Sequence, residues 1–141
     1  MLKKDTHDIQ NDLMKYESLN SFLSDNKELF VSETMVEILN SIFEKKDITK
    51  SVLAKRAEMS EIYLHQIFAG KRNPSRNRLI CLCYGLETTL EETQELLKCS
   101  GCAQLYPKIK RDAIIIYGLL HSVPLFEIND KLFAENEETL Y

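Results

Sequence analysis

The sequence predicts an all-α protein, and three observations favour that class. Its 141 residues include only 4 glycines and 3 prolines, whereas an all-β chain needs turn residues every ~8–12 positions. Apolar residues recur at the spacing of a helix face along most of the chain. Hydroxyl side chains stand where these helices would begin, and glycines stand where several of them would end.

The chain is expected to divide into three parts. Residues 1–31 are predicted to be an N-terminal helical extension, although their sparse apolar positions suit a loose segment equally well. Residues 32–100 are predicted to form a domain of five short helices. Residues 101–141 are predicted to form a C-terminal hairpin of two helices that packs on this core or on a dimer partner.

The five helices of the middle region follow from local signals at their ends. A Ser or Thr side chain before a helix accepts a hydrogen bond from a free backbone N–H, and glycine is favoured just after the last turn. The residue before a proline resists the helical conformation. The predicted helices run from a cap at Ser32 to about Lys46, from Thr49 through Ala57, from Ser60 through Phe68 with Gly70 after it, from Arg76 to Tyr84 between Pro74-Ser75 and Gly85, and from Leu90 to Lys98 behind a capping box of Thr89 and Glu92.

The C-terminal hairpin is unusually apolar. Pro107 precedes an apolar segment, Ile109–Leu120, and Pro124 opens a last helix that runs to about Ala134. Apolar residues surround both helices on nearly every side, so most of that surface is expected to be buried. Part of it is predicted to cover the five-helix core. The remainder would form a homodimer interface or, alternatively, would also be buried within the chain.

Charge is distributed unevenly along the chain. The net charge is −4, but residues 48–78 hold 7 basic and 2 acidic side chains, a local excess of +5. The segments before and after this window are acidic. Because the local field rather than the net charge steers a polyanion, this window is the candidate for contact with nucleic acid.

Residues 50–70 have the pattern of two short helices joined by a tight turn. Closely crossing helices need a small residue at the crossing, and Ala54 supplies it. Leu64 and Ile67, three residues apart, would face the first helix, while Met59 would fill the turn. This arrangement is typical of a DNA-binding helix-turn-helix.

The sequence after this motif resembles the lambda-repressor/Cro-type family, often called Xre-type. The run of residues 67–72 and the Pro74-Ser75 pair carry the resemblance, together with Leu79, Leu82 and Gly85. The resemblance covers roughly residues 34–98. It implies a five-helix DNA-binding domain, usually dimeric, that regulates transcription and takes double-stranded DNA as its partner.

The candidate contacts with DNA lie on and around the second helix of the motif. With Leu64 facing the core, Ile62 and Gln66 point outward, because successive residues turn by about 100°. Glutamine bonds adenine through two hydrogen bonds, and an isoleucine methyl packs on the thymine methyl. Base contacts are predicted for Glu61, Ile62, Tyr63, His65 and Gln66, and phosphate contacts for Lys50, Ser51, Lys71, Arg72, Asn73 and Arg76.

A second function is also open. The turn holds Glu58 where the resembled family usually has glycine, and Glu61 stands where polar or basic residues are usual. A carboxylate near phosphates is repelled unless it accepts a hydrogen bond from a cytosine amino group. The alternative is a protein-interaction module derived from a helix-turn-helix, with Ile62, Tyr63 and the acidic flanking segments as its partner surface.

The cysteines and histidines do not predict a metal site, a cofactor or an enzyme. Cys81 and Cys83 lie two apart on one predicted helix and point in different directions, so they cannot chelate one ion together. With Cys99 and Cys102, they fit as small apolar side chains. The three histidines are scattered, and no glycine-rich phosphate loop or paired nucleophile and base occurs.

The sequence also excludes several locations. The longest uncharged apolar-rich run, Ala113–Leu120, is far shorter than the ~20 residues that cross a membrane. The N-terminus lacks the apolar stretch of a signal peptide. A cytoplasmic protein without membrane contact is therefore expected.

Overall fold

The regular secondary structure is helical throughout residues 5–26 and 34–141, the part of the chain that the computed structural model describes. The contacts group the chain into two units, residues 1–32 and 33–141. The prediction of an all-α protein is therefore confirmed for these residues.

The first unit contains two short helices, α1 (Thr6–Lys15) and α2 (Leu19–Asp25). The side chains of Asp5 and Ser18 cap them. The ring of Tyr16 packs edge-on against Phe22 at 5.3 Å between centroids, and its hydroxyl donates to a carboxylate oxygen of Asp25 at 3.2 Å. Helical structure in the extension is thus observed, as two helices.

The second unit contains seven helices among its described residues. A threonine or serine caps each of the first five, accepting a hydrogen bond from the backbone N–H three residues later, and this satisfies one free donor at each helix start. The caps are Thr34, Thr49, Ser60, Ser75 and Thr89, and the seven helices are α3 (Met35–Glu44), α4 (Lys50–Arg56), α5 (Glu61–Phe68), α6 (Arg76–Leu86), α7 (Leu90–Cys99), α8 (Lys110–Leu120) and α9 (Leu125–Ala134).

Several helix boundaries differ by one or two residues from those predicted, and two of the differences concern a predicted cap or stop. The first helix of this unit is capped by Thr34, and the predicted cap Ser32 lies outside the described residues. The prediction that Gly85 ends a helix is wrong, because α6 continues through Leu86 and ends in the left-handed residue Glu87. Pro124 is the residue immediately before α9.

Gly85 lies inside α6 because α4 crosses the helix at this point. A Cβ on Gly85 would approach Leu53 Cδ1 to 2.8 Å and Ala57 Cβ to 3.3 Å. A side chain at residue 85 would therefore force α4 and α6 apart. Residues 79–86 of α6 are all buried, so this helix forms the centre of the core.

The C-terminal hairpin packs on the same core through one side. Ile115 of α8 and Leu132 of α9 are fully buried, and the Tyr84 hydroxyl of α6 donates to the Ile115 carbonyl at 2.7 Å. Gly118 makes room for this tyrosine, since a Cβ there would collide with the Tyr84 hydroxyl and with Ile128. One side of the hairpin thus covers the core, through Ile115 and Leu132.

The other side of the hairpin remains exposed. Large apolar side chains lie on this surface, namely Tyr117, Leu120, Phe126 and Phe133. Phe133 is the most exposed of them, at 76%. Among residues 5–26 and 34–141, no helix is long and apolar enough to span a bilayer.

Candidate nucleic-acid interface

The turn between α4 and α5 holds the two helices in a fixed crossing. Met59 donates its backbone N–H to the Ala54 carbonyl at 3.0 Å, and Glu58 adopts a left-handed conformation with φ of 55°. Ala54, Leu64 and Ile67 are all buried, as the helix-turn-helix pattern predicts for the inner face. Glu58 thus takes the conformation for which glycine is better suited.

The outer face of α5 carries the residues predicted to contact bases. Glu61, Ile62 and His65 are exposed, and Ile62 is exposed to 73%. Tyr63 and Gln66 are half-buried, so the Gln66 side chain is more enclosed than the outward direction predicted.

A shallow depression brings five of the predicted contact residues together. Lys50 of α4, Ile62, His65 and Gln66 of α5, and Lys71 after α5 all line it. Three candidate base-contacting side chains therefore share one surface with two candidate phosphate-binding cations.

The loop after α5 fixes the position of Lys71. Gly70 adopts the left-handed conformation with φ of 74°, and the Lys71 N–H donates to the Gln66 carbonyl at 2.9 Å. This pattern closes the C-terminus of α5 and returns the chain beside the helix. The glycine predicted after α5 is therefore required by the backbone conformation.

Lys50 is positioned by two aromatic rings. Its ammonium nitrogen lies 5.1 Å from the ring centroid of Phe68 and 5.9 Å from that of Phe43. The two rings pack edge to face at 5.3 Å. Both distances to the nitrogen are within the range of a cation–π interaction, which orients the charge without neutralising it.

A second pair of cations flanks Tyr63. The guanidinium carbons of Arg72 and Arg78 lie 5.4 Å and 5.5 Å from its ring centroid. Arg78 also donates to the carbonyl of Glu58 at 3.3 Å. Arg78 was absent from the predicted site although it lies in the basic window, because only the tertiary fold brings the start of α6 beside α5.

Arg76 has a different environment from the one predicted. Its guanidinium donates to the carbonyls of Ala103 and Gln104 at 2.8 and 3.4 Å, and to a carboxylate oxygen of the buried Asp112 at 3.2 Å. Asp112 also accepts from the Tyr106 N–H at 2.9 Å. Arg76 therefore joins α6 to the start of the hairpin and is not free to contact phosphate.

The remaining predicted phosphate contacts lie at the two ends of the site. Asn73 is exposed in the loop between α5 and α6, and Ser51 is half-buried in the first turn of α4. The structure places neither of them in the depression beside α5.

The four cysteines have two kinds of environment. Cys81 and Cys83 are fully buried in α6, and desolvation raises the pKa of Cys81 to about 12 and that of Cys83 to about 11. Both are therefore neutral thiols near pH 7. Cys99 and Cys102 are half-buried, and the described residues contain no group of side chains that could hold a metal ion.

Comparisons with protein-family models, curated proteins and solved structures found no match to this chain. Functional inference therefore depends on the geometry of α4, α5 and the loop that follows them.

Proposed function

We propose that the protein is a sequence-specific DNA-binding regulator of transcription in the cytoplasm. In this proposal α3–α7 are a five-helix domain of the lambda-repressor/Cro type, α4 and α5 are its helix-turn-helix, and α5 enters the major groove. The depression lined by Ile62, His65, Gln66, Lys50 and Lys71 carries the proposal, because it joins groups suited to bases and groups suited to phosphates.

The side chains on α5 suit direct contact with base edges. The Gln66 amide can donate to and accept from adenine, and Ile62 offers methyl groups to thymine. His65 is exposed beside them. Glu61, at the start of the helix, would accept a hydrogen bond from a cytosine amino group, the contact in which a carboxylate is favourable in the groove.

The cations around α5 suit contact with the DNA backbone. Within the described part of the chain, Lys50, Lys71 and Arg72 form no ion pair with a carboxylate. Their charges therefore remain available to phosphate oxygens. Tyr63 orients Arg72, and the rings of Phe43 and Phe68 orient Lys50.

One observation favours a protein partner instead. Ile62 is 73% exposed, and Glu61 beside it and Glu58 in the turn are exposed as well. The exposed apolar side chain would pack against a protein partner, and the two carboxylates would be repelled by the phosphates of DNA. This protein-interaction module, with the acidic flanking segments as further partner surface, is the second candidate.

Salt dependence of duplex binding distinguishes the two functions. If Lys50, Lys71 and Arg72 meet phosphates, the logarithm of the binding constant falls with the logarithm of salt concentration with a slope of roughly −3. Lys71→Ala with Arg72→Ala would make this slope shallower by about 2 units.

The matched control for that pair is Lys98→Ala with Lys131→Ala, which removes the same charge from exposed positions on α7 and α9. The control is expected to keep the slope of the unchanged protein. Fluorescence anisotropy with a labelled duplex of mixed sequence measures the salt slope of both double variants. A folded protein that binds no duplex at about 50 mM salt would contradict DNA binding and favour the protein-interaction module.

A further inference from the structure

A pocket of about 390 Å³ lies between the helix-turn-helix region and the C-terminal hairpin. One wall comes from α8, α9 and the turn between them, and includes Leu119, Val123 and Phe126. The other comes from the end of α4, the turn after it and the end of α6. The volume falls within the range of roughly 300–1,000 Å³ that is usual for small-molecule sites.

Unfavourable backbone conformations are concentrated around this pocket. Four residues other than glycine have positive φ within residues 5–26 and 34–141, and three of them line it: Glu58, Glu87 and Ser122, with φ of 55°, 53° and 53°. Such conformations cost about 1 kcal/mol each relative to glycine, and just after a helix end they are a common way for the chain to leave the helix.

These three residues follow the ends of three helices. Glu58 comes after α4, Glu87 after α6 and Ser122 after α8. The last carbonyls of a helix lack partners within the helix and carry partial negative charge. Three helix C-termini therefore lie at one cavity. The backbone N–H groups of Met59, Thr88 and Val123 close their last turns by donating to the carbonyls of Ala54, Cys83 and Gly118. The helix dipoles still contribute partial negative charge, which favours the positive end of a ligand.

The formal charges around the pocket are balanced and unpaired. Lys55 and Arg56 lie on its lining together with the carboxylates of Glu58 and Glu87, and all four side chains are exposed. None of the four forms an ion pair with another described residue. A ligand with a single charge would thus meet both attraction and repulsion, whereas one with both charges would be attracted at both ends.

We propose that this pocket binds a small zwitterion with an apolar side chain, of the α-amino acid class. The carboxylate lies near Lys55 and Arg56, and the ammonium lies near the Glu87 carboxylate. The apolar side chain packs on the wall that includes Phe126. The proposal goes beyond DNA binding and does not depend on it.

Isothermal titration of the full chain with L-phenylalanine and L-leucine tests this site. Saturable binding with a stoichiometry of one per chain is expected for at least one of them. 3-Phenylpropanoate lacks the ammonium, and 2-phenylethylamine lacks the carboxylate. Each is expected to bind at least about tenfold more weakly than L-phenylalanine, because one end of the pocket then stays unsatisfied.

Two matched pairs of variants locate the site. Glu87→Gln is compared with Glu91→Gln, and Phe126→Ala with Phe133→Ala, which removes a more exposed ring from the same helix. The first member of each pair is expected to weaken binding about tenfold, and the second to leave it unchanged. Circular dichroism checks that all four are folded.

Absence of saturable binding by both amino acids would overturn the proposal. Equal affinity for the singly charged analogues would also overturn it, as would variants at Glu87 and Phe126 that bind like the unchanged protein. None of these measurements uses DNA, so their outcome is separate from that of the proposed function.

Discussion

Two arginines four residues apart show how environment decides what a charged side chain can do. Arg72 is exposed and stacks on Tyr63, whereas Arg76 is held by two carbonyls and the buried carboxylate of Asp112. The sequence predicted the same phosphate-binding role for both. Only the contacts of the folded chain separate them, because the partners of Arg76 lie 27 to 36 residues further along.

Substitution of these two arginines should affect different properties: protein stability for Arg76 and duplex binding for Arg72. Arg76→Ala should lower the free energy of unfolding by roughly 1.5–3 kcal/mol, since it removes a hydrogen bond to a buried carboxylate and two to backbone carbonyls. It should leave duplex affinity unchanged in the folded fraction. Arg72→Ala should weaken duplex binding and leave stability nearly unchanged. Urea denaturation and anisotropy measure the two effects, and weakened duplex binding by folded Arg76→Ala would contradict this assignment.

The buried thiols give a prediction at alkaline pH. Burial raises the pKa of Cys81 and Cys83 from 9.0 to about 12 and about 11. The unfolded chain therefore loses these protons first as pH rises, so the stability that the neutral thiols provide is complete below pH 9 and is lost towards pH 11. The free energy of unfolding should fall across that interval.

Cys83→Ala should make this decline less steep, although it lowers stability at neutral pH because it leaves a small cavity. Urea denaturation at a series of pH values gives both quantities. A decline of equal steepness in Cys83→Ala and the unchanged protein would contradict the role of this thiol.

At the scale of helices, starts were more predictable than ends. The caps at Thr49, Ser60, Ser75 and Thr89 are confirmed, because the hydrogen bonds that they make are to residues three positions away. Gly85 was assigned to a helix end because glycine is common there. Glycine is needed at residue 85 because α4 approaches closely there. Local sequence patterns cannot show this contact, because its residues are far apart in the chain.

Gly85→Ala tests this crossing. In an exposed helix, glycine to alanine is stabilising by about 0.5–1 kcal/mol. At residue 85 the new methyl would approach Leu53 Cδ1 to 2.8 Å, so the substitution should instead destabilise by roughly 1–3 kcal/mol. Thermal and urea denaturation measure the change. An unchanged or raised stability would show that α4 and α6 are farther apart than described.

At the scale of the whole molecule, the apolar composition of the hairpin predicted burial but not its extent. Ile115, Leu125, Ile128 and Leu132 enter the core, which leaves the opposite side of both helices exposed. The spacing of apolar residues cannot show what covers this exposed side, because apolar residues suit both a core and an interface between two copies of the chain. We expect this exposed side to form a homodimer interface.

Light scattering of the full chain tests the dimer. Twice the chain mass of 16.4 kDa is expected at micromolar concentration. Leu120→Asp with Phe133→Asp should give a folded monomer, since both side chains are exposed. Ile116 is unsuitable for this purpose because it packs against the core. A monomer of the unchanged protein at high concentration would contradict the dimer and leave the hairpin only its role in the core.

The proposed function depends on contact between α5 and bases in the major groove. Selection from random duplex oligonucleotides with the full chain tests this contact. We predict an enriched motif with two-fold symmetry, in which Gln66→Ala relaxes one base position and costs roughly 1–3 kcal/mol of affinity. Lys98→Ala, the matched control, should select the same motif as the unchanged protein. Failure of the folded protein to enrich any motif would contradict base recognition by α5.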